Sequence, residues 1–295
     1  MVNPRVSLEQ WRALQAVVDQ GGFAQAAQAL HKSQSSVSYT VARLQEQLGI
    51  TLLEIHGRKA ELTDEGRALL RRSRHLLKEA LSLEQFADGL EQGWEADVNL
   101  VVDAAFPTNI LMTALRQFAP LSKGSLVQLT EVVLSGAEDA LERGATDIAI
   151  CANVPAGFLG EPLLDITFVA VTHAEHSMQL NDRAITTTDL ERHLQVVIRD
   201  SGERQQRDVG WLGADHRWSV SSIETARQVL LSGLGYCWLP EHCIRTELEK
   251  GVLKKLNLRE GGHYNGTLYL VYGKDRNPGP GARLLTELLH EAIQG

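Results

Sequence analysis

The sequence predicts a multidomain chain: an α-helical winged helix-turn-helix, a long linker helix, and a two-lobed α/β domain. Three observations carry this reading. Short helices separated by capping and glycine signals fill residues 7–49, a leucine row at seven-residue spacing follows, and from Asp97 apolar strand-like runs alternate with helices. The expected boundaries are 1–63, 64–92 and 93–295, the last split into one lobe at about 93–163 plus 267–295 and another at about 164–266.

The first helix is expected over Ser7–Val18. Ser7 and Gln10 stand at capping-box spacing, and Leu8, Trp11, Leu14, Ala16 and Val18 supply an apolar face. Gly21-Gly22 ends it. The Ala-rich run FAQAAQAL (23–30) makes a second, short helix. Ser33 caps a third, with Val37, Val41, Leu44 and Leu48 on its buried side and Gly49 as its stop.

The outer face of that third helix is unusual. Gln34, Ser35, Ser36, Ser38, Tyr39 and Arg43 crowd it, where a helix serving solubility alone would carry Glu and Lys. Small polar donors reach phosphates and base edges without bulk, and Arg can fork onto guanine. A solvated face in a small helical bundle fits the same residues, so this helix alone leaves both readings open. Residues 50–62 then hold two apolar stretches around His56-Gly57-Arg58-Lys59, the pattern of a hairpin with a basic tip. A wing in this place would set Arg58 and Lys59 on backbone phosphates.

Thr63 caps a long helix from Asp64 to about Gln92. Leu69, Leu76, Leu83 and Leu90 fall seven apart, and Leu70, Leu77 and Phe86 widen the stripe. Pairing of this helix with a second copy would bury the stripe, which makes Leu69, Leu76 and Leu83 candidate dimerisation residues. Packing against the chain's own domains is the alternative.

Beyond Asp97, the strand-like runs 97–103, 125–131 and 147–151 enclose helices at 107–118 and 137–143. This is a βαβαβ pattern and predicts a parallel sheet with covering helices. A second set comprises strands at 166–173, 195–200, 217–222 and 235–240, with helices at 187–193 and 224–232. A strand at 266–273 and a helix at 282–293 close the chain.

Composition narrows the classes. Of 295 residues, 43% are apolar and 22% charged, which excludes disordered and collagen-like chains. No apolar run reaches the ~18 residues of a membrane span, and Arg5, Glu9 and Arg12 interrupt the stretch where a signal peptide needs its apolar core. Cys151, Cys237 and Cys243 form neither a disulfide framework nor a zinc spacing. A cytoplasmic location is expected. Residues 1–90 hold 11 Lys/Arg and 10 Asp/Glu, so the net charge of −8 belongs to the remainder, and a near-neutral head does not forbid DNA binding.

The stretch GGFAQAAQALHKSQSSVSYTVARLQEQLGITLLE (21–54) resembles the winged-helix signature of LysR-type transcriptional regulators. The match includes Phe23, Ala26-Ala27, Leu30, Ser33-Gln34, Val37-Ser38, Leu44, Glu46 and Leu48-Gly49, and Leu62-Thr63 and Gly66 resemble the family's passage into its linker helix. GLGYCWLP (233–240) and the element order extend the likeness over the whole chain, and residues 93–95 and 129–150 are similar to one branch of the family. Leu53, Ile55 and Glu65 depart from the usual Phe, Arg and Ala, and Ile55 removes a basic phosphate contact.

The resemblance implies a sequence-specific DNA-binding transcriptional regulator and not an enzyme. It implies a C-terminal domain like type 2 periplasmic binding proteins, holding between its lobes a small organic effector that sets DNA binding or bending. Double-stranded DNA and further copies of the chain, as homodimer or homotetramer, are implied partners, with RNA polymerase a candidate. No membrane, cofactor or metal is implied.

Ligands on open α/β sheets collect at the carboxyl ends of strands. That rule selects Ala105, Phe106 and Thr108, then Thr130, Glu131 and Val132, then Asn153, and in the other lobe Ser201, Gly202, Ser222 and Ile223. Matching family positions line the effector cleft; each residue taken singly is equally an ordinary cap or turn. The hydroxyls of Thr108, Thr130, Ser201 and Ser222 are expected to converge, with Phe106 and Val132 on the apolar side. Glu131 would repel a simple anion unless Arg204 or Arg207 pairs with it.

Two lobes around a cleft also describe enzymes and solute-binding proteins with a fused helical module. Against an enzyme, the sequence carries no GxSxG, GxxxxGK[ST], complete GxGxxG or HExxH. His173 and His176 read as a charged loop, Cys237 as core, and Cys151 as a residue facing the cleft, open to a redox or ligand role.

Overall fold

The computed structural model describes residues 3–56, 59–180, 183–204, 206–207, 210–273 and 277–295, with 55, 56 and 59 as backbone. It divides into two units, Met1–Asp88 and Gly89–Gly295.

In the first unit α1 (Leu8–Asp19) starts on a full capping box. The Ser7 hydroxyl accepts from Gln10 N–H at 3.3 Å, and the Gln10 side chain accepts from Ser7 N–H at 2.8 Å. The buried face is Trp11, Ala13, Leu14 and Val17, while Leu8 is exposed and Ala16 and Val18 are half-buried. The face is thus rotated from the expected one, centred on Leu14. Helix α2 (Phe23–Ala29) contributes Ala26 and Ala27, whose small side chains allow it to close against α3 (Gln34–Leu48). On α3, Val37, Val41 and Leu44 are buried and Leu48 only partly so. Ser33 caps it by accepting from Ser36 N–H at 3.2 Å, and Gly49 closes it in the left-handed conformation at φ 71°.

An antiparallel hairpin, β1 (Leu53–His56) and β2 (Lys59–Leu62), follows as the wing. Gln45 ties it to α3, its side-chain oxygen accepting from Leu52 and Leu53 N–H at 2.7 and 3.0 Å. Helix α4 (Asp64–Glu91) begins where Thr63 Oγ1 accepts from Gly66 N–H at 2.9 Å. A Cβ on Gly66 would lie 2.1 Å from the Leu52 carbonyl oxygen, so only glycine lets this helix start against the wing. Leu70 is buried in the head, and Leu69 and Leu77 pack partly against it. Leu76, Leu81 and Leu83 are exposed by 50, 56 and 68%.

The second unit is a mixed sheet with helices on both faces. Strands β3 (Asp97–Asp103), β4 (Leu126–Val132) and β5 (Ile148–Cys151) are parallel, with α5 (Thr108–Phe118) and α6 (Gly136–Arg143) between them. Strand β6 (Gly160–His173) leads out of this lobe. The second lobe holds α7 (Thr187–Glu191), β7 (Gln195–Ile198), β8 (Arg217–Val220), α8 (Ile223–Leu231), β9 (Tyr236–Pro240), α9 (Arg245–Glu249) and β10 (Leu253–Lys255). Strand β11 (His263–Tyr272) returns, and α10 (Pro280–Gln294) packs on α5. The strand order is β4-β3-β5-β11-β6-β9-β7-β8, with β10 beside β6.

The two long strands cross both lobes. Val271 faces Gly160 at one end of their antiparallel ladder and His263 faces Val169 at the other. Strand β6 starts at Gly160, six residues before the expected 166, because GEPLLD reads as a polar loop until its pairing with β11 is seen. Alternation along β3 sorts the core of the first lobe. Leu100 and Val102 join Ile148, Ile150, Phe118 and Leu285 on one face, while Val101 joins Ala137, Leu141, Ala149 and Cys151 on the other. In the second lobe Val169, Val196, Leu230 and Leu239 form one cluster and Ala170, Leu190, Tyr236 and Leu256 another.

Candidate functional site

Helix α3 presents Gln34, Ser35, Ser36, Ser38, Tyr39 and Arg43 on its exposed side, with Tyr39 67% exposed. Ser35 Oγ lies 3.1 Å from Ser33 Oγ, and Arg43 pairs with Glu46 at 2.7 Å. An exposed pair of this kind is worth ~1 kcal/mol or less, so the guanidinium can exchange it for another acceptor. Arg58 lies outside the described residues, as does the side chain of Lys59.

Between the lobes of the second unit lies a cavity of about 600 Å³. Asp103, Ala104 and Ala105 after β3, and Val133 and Leu134 after β4, border it from the first lobe. From the second come Gln195 to Ile198 of β7, Ile223 at the start of α8, Cys237 and Trp238 of β9, Trp211, and Glu260, Gly261, His263 and Tyr264 at the mouth of β11. Asp103 is buried and accepts from Ala105 N–H at 2.9 Å and Leu134 N–H at 3.1 Å. Burial pushes its carboxyl up to about 6, beyond what those two hydrogen bonds offset.

Beside the cavity the lobes are latched. The Asp200 carboxylate accepts from Ser135 N–H (3.1 Å), Ser135 hydroxyl (2.7 Å), Gly202 N–H (2.8 Å) and Arg207 N–H (2.8 Å). From the other side Asp139 accepts from Glu203 N–H at 2.7 Å. Arg143–Glu203 (2.7 Å), Arg204–Glu142 (2.6 Å) and Arg207–Glu138 (2.5 Å) add ion pairs across the same seam.

Residues 8–67 match the family model described as "Bacterial regulatory helix-turn-helix protein, lysR family", and residues 91–294 match "LysR substrate binding domain". The chain belongs to the LysR family of transcriptional regulators. It is 31% identical over 254 residues to the probable HTH-type transcriptional regulator YhaJ of Escherichia coli K12, covering 84% of this chain and 85% of that one. It is also 31% identical over 288 residues to a probable hydrogen peroxide-inducible genes activator of Streptomyces viridosporus, covering 94% of this chain and 86% of the relative. Among solved structures, CrgA of Neisseria meningitidis superposes with a TM-score of 0.53 at 22% identity over all of both chains. Full-length LysG of Corynebacterium glutamicum, solved with bound effector Arg, gives 0.53 at 19% identity, covering 97% of this chain and 98% of that one.

For a LysR-type chain, the ligand positions expected from strand ends map only partly onto this cavity. Ala105 and Ile223 line it. Phe106 turns into the core of the first lobe, and Val132 packs with Ala137 and Leu141. Thr108, Thr130, Glu131 and Asn153 are exposed and outside the lining. Ser201 holds the latch, its hydroxyl accepting from Val133 N–H at 2.9 Å, and Gly202 packs against Ser135. Ser222 caps α8 by accepting from Thr225 N–H at 3.1 Å. The four hydroxyls do not converge: Ser222 caps its own helix, Ser201 bonds Val133 across the seam, and Thr108 and Thr130 face solvent. Arg204 and Arg207 pair with Glu142 and Glu138 and not with Glu131.

Cys151 does not face the cleft. It is fully buried on the α6 side of β5, and burial pushes its thiol up to about 12, which makes it a poor nucleophile. Cys237 is buried in the second lobe, with its thiol also pushed up to about 12. His176 caps a 3-10 turn, accepting from Met178 N–H at 3.3 Å, and no group of three or more metal-ligating side chains occurs among the described residues. Likewise no helix among the described residues is long and apolar enough to cross a membrane. Gln195, Trp211, Trp238 and Tyr264 were missed as cavity residues, because they sit inside strands and a loop of the second lobe and not at the strand ends the rule selects.

Proposed function

We propose that this regulator docks α3 against the base edges and phosphates of duplex DNA through Gln34, Ser35, Ser36, Ser38, Tyr39 and Arg43, and that Arg58 and Lys59 add phosphate contacts. The chain acts as at least a dimer through the leucine stripe of α4, and a small organic effector in the cavity between the lobes sets how the DNA heads are held. One observation carries the effector reading: the cavity draws its walls from both lobes, so an occupant that touches Ala105 and Leu134 on one side and Trp238 and Ile223 on the other has different contacts at different lobe angles. Such differential contact is what shifts a two-state equilibrium.

The test has two parts. Genomic DNA selected on the full-length protein supplies a target duplex, and a gel shift on that duplex compares the parent with Arg43→Ala and Ser36→Ala. Weaker specific binding with an intact fold is expected of both. Unchanged binding by both variants on every sequence would remove α3 as the docking helix.

A further inference from the structure

We propose that the ligand of the inter-lobe cavity is an aromatic molecule, uncharged or cationic, that carries an N–H or O–H donor, and that anions are excluded. This deepens the effector reading above and rests on it.

The walls point to a ring. Phe168 and Tyr264 are stacked at 4.7 Å and 5° along one side, and Trp211 and Trp238 border the same space. Leu190, Val196, Leu212 and Leu258 add apolar surface to the same lining. Flat aromatic surfaces favour a flat partner at stacking distance. A cavity of about 600 Å³ lies in the range that takes a small one- or two-ring molecule.

The charge is equally one-sided. Asp103 and Glu260 line the cavity; among the described residues its one basic side chain is His263, and no Lys or Arg borders it. Arg204 and Arg207, flanking the seam, are held by Glu142 and Glu138. A bound anion would give up its water to meet two carboxylates with no lysine or arginine in the lining. A cation or neutral molecule meets no such opposition, and a cation also gains from the aromatic faces.

The lining offers donors on Thr187, Trp211, His263 and Tyr264, and beside them two acceptors with capacity to spare. Gln195 is 2% exposed, and its Nε2 donates to the Trp211 carbonyl at 2.6 Å, which fixes the amide orientation. Its Oε1 is the one buried side-chain oxygen or nitrogen among the described residues that has no partner. Trp238 Nε1 already donates to the Gly261 carbonyl at 2.9 Å, and so asks nothing of a ligand. Asp103 accepts two backbone N–H groups and keeps lone pairs to spare. A ligand that brings a donor pairs with the acceptor capacity that Asp103 and Gln195 leave unused.

Four matched probes test this on the full-length chain by ligand-observed saturation-transfer NMR with titration: indole, N-methylindole, tryptamine and indoleacetate. Indole and tryptamine should bind, N-methylindole about fivefold more weakly than indole, and indoleacetate weaker than indole by roughly tenfold or more. In Gln195→Met the gap between indole and N-methylindole should close. Indoleacetate binding as tightly as indole, no saturation transfer from any probe at millimolar concentration, or an unaltered gap in Gln195→Met with its fold intact overturns the proposed class. Repeating the titration on Ile223→Trp, which narrows the cavity at the start of α8, separates the two readings. If indoleacetate binds the parent and is lost in Ile223→Trp, the cavity stands and the class fails. If the probes bind Ile223→Trp as tightly as the parent, the cavity is not the ligand site and both readings fall.

Discussion

Ser135, on the turn before α6, gives both its backbone N–H (3.1 Å) and its hydroxyl (2.7 Å) to the Asp200 carboxylate of the opposite lobe. Asp200 is buried and takes two further backbone donors, from Gly202 and Arg207. Replacing it with Ala leaves four donors unpaired, at a cost of about 2 to 5 kcal/mol. Asp200→Asn keeps one acceptor oxygen and should cost less. Scanning calorimetry of the full chain should show the main transition moving down most in Asp200→Ala; equal transitions in all three proteins would mean that the latch carries no stability.

Asp103 makes the second unit sensitive to pH. Burial, with the charges of Glu131 and Asp200 acting in the same direction, raises its folded carboxyl from 3.8 to about 6, against the opposing Ala105 and Leu134 hydrogen bonds. The folded state therefore binds this proton more tightly than the unfolded chain. The resulting stability is full below the unfolded value and is lost as pH rises through the folded one, on the order of 1 to 3 kcal/mol. Urea titrations at about pH 4.5 and about pH 7 should show a larger fall in stability for the parent than for Asp103→Asn, which cannot ionise there. Parallel losses in the two proteins would assign the pH dependence to other groups.

Leu76 and Leu83 are 50 and 68% exposed on α4, while Leu70 of the same helix is buried in the head. The stripe that the sequence shows is thus divided between a part the head covers and a part it leaves open. Leu76→Asp would place a carboxylate in any seam formed by that open part, costing several kcal/mol if the seam is dry. Sedimentation velocity at micromolar concentration should then report monomers. An oligomer identical to the parent's would move the contact away from this stripe.

What was legible in the sequence follows from the range of the interactions involved. The caps Ser7, Ser33 and Thr63 act over three residues, and each was readable because its partner lies inside the same short window. The outer face of α3 was readable for the same reason. The cavity was not. Gln195, Trp211, Trp238 and Tyr264 meet only because β6 and β11 cross between the lobes and carry β9 and β7 alongside, and nothing local in those segments marks the meeting. The strand-end rule did lead to Ala105 and Ile223, which border the cavity. It failed at Ser222 because that hydroxyl caps its own helix, and at Ser201 because the hydroxyl is taken by Val133 of the opposite lobe.

In the proposed mechanism, occupancy of the inter-lobe cavity controls the grip of the helix-turn-helix unit on DNA. Fluorescence anisotropy on the selected duplex, using a compound found to raise the melting temperature of the parent, tests it directly in the parent and in Ile223→Trp. The compound should change the apparent Kd of the parent severalfold, and Ile223→Trp should bind the duplex with a diminished response. A response in Ile223→Trp equal to the parent's would contradict it.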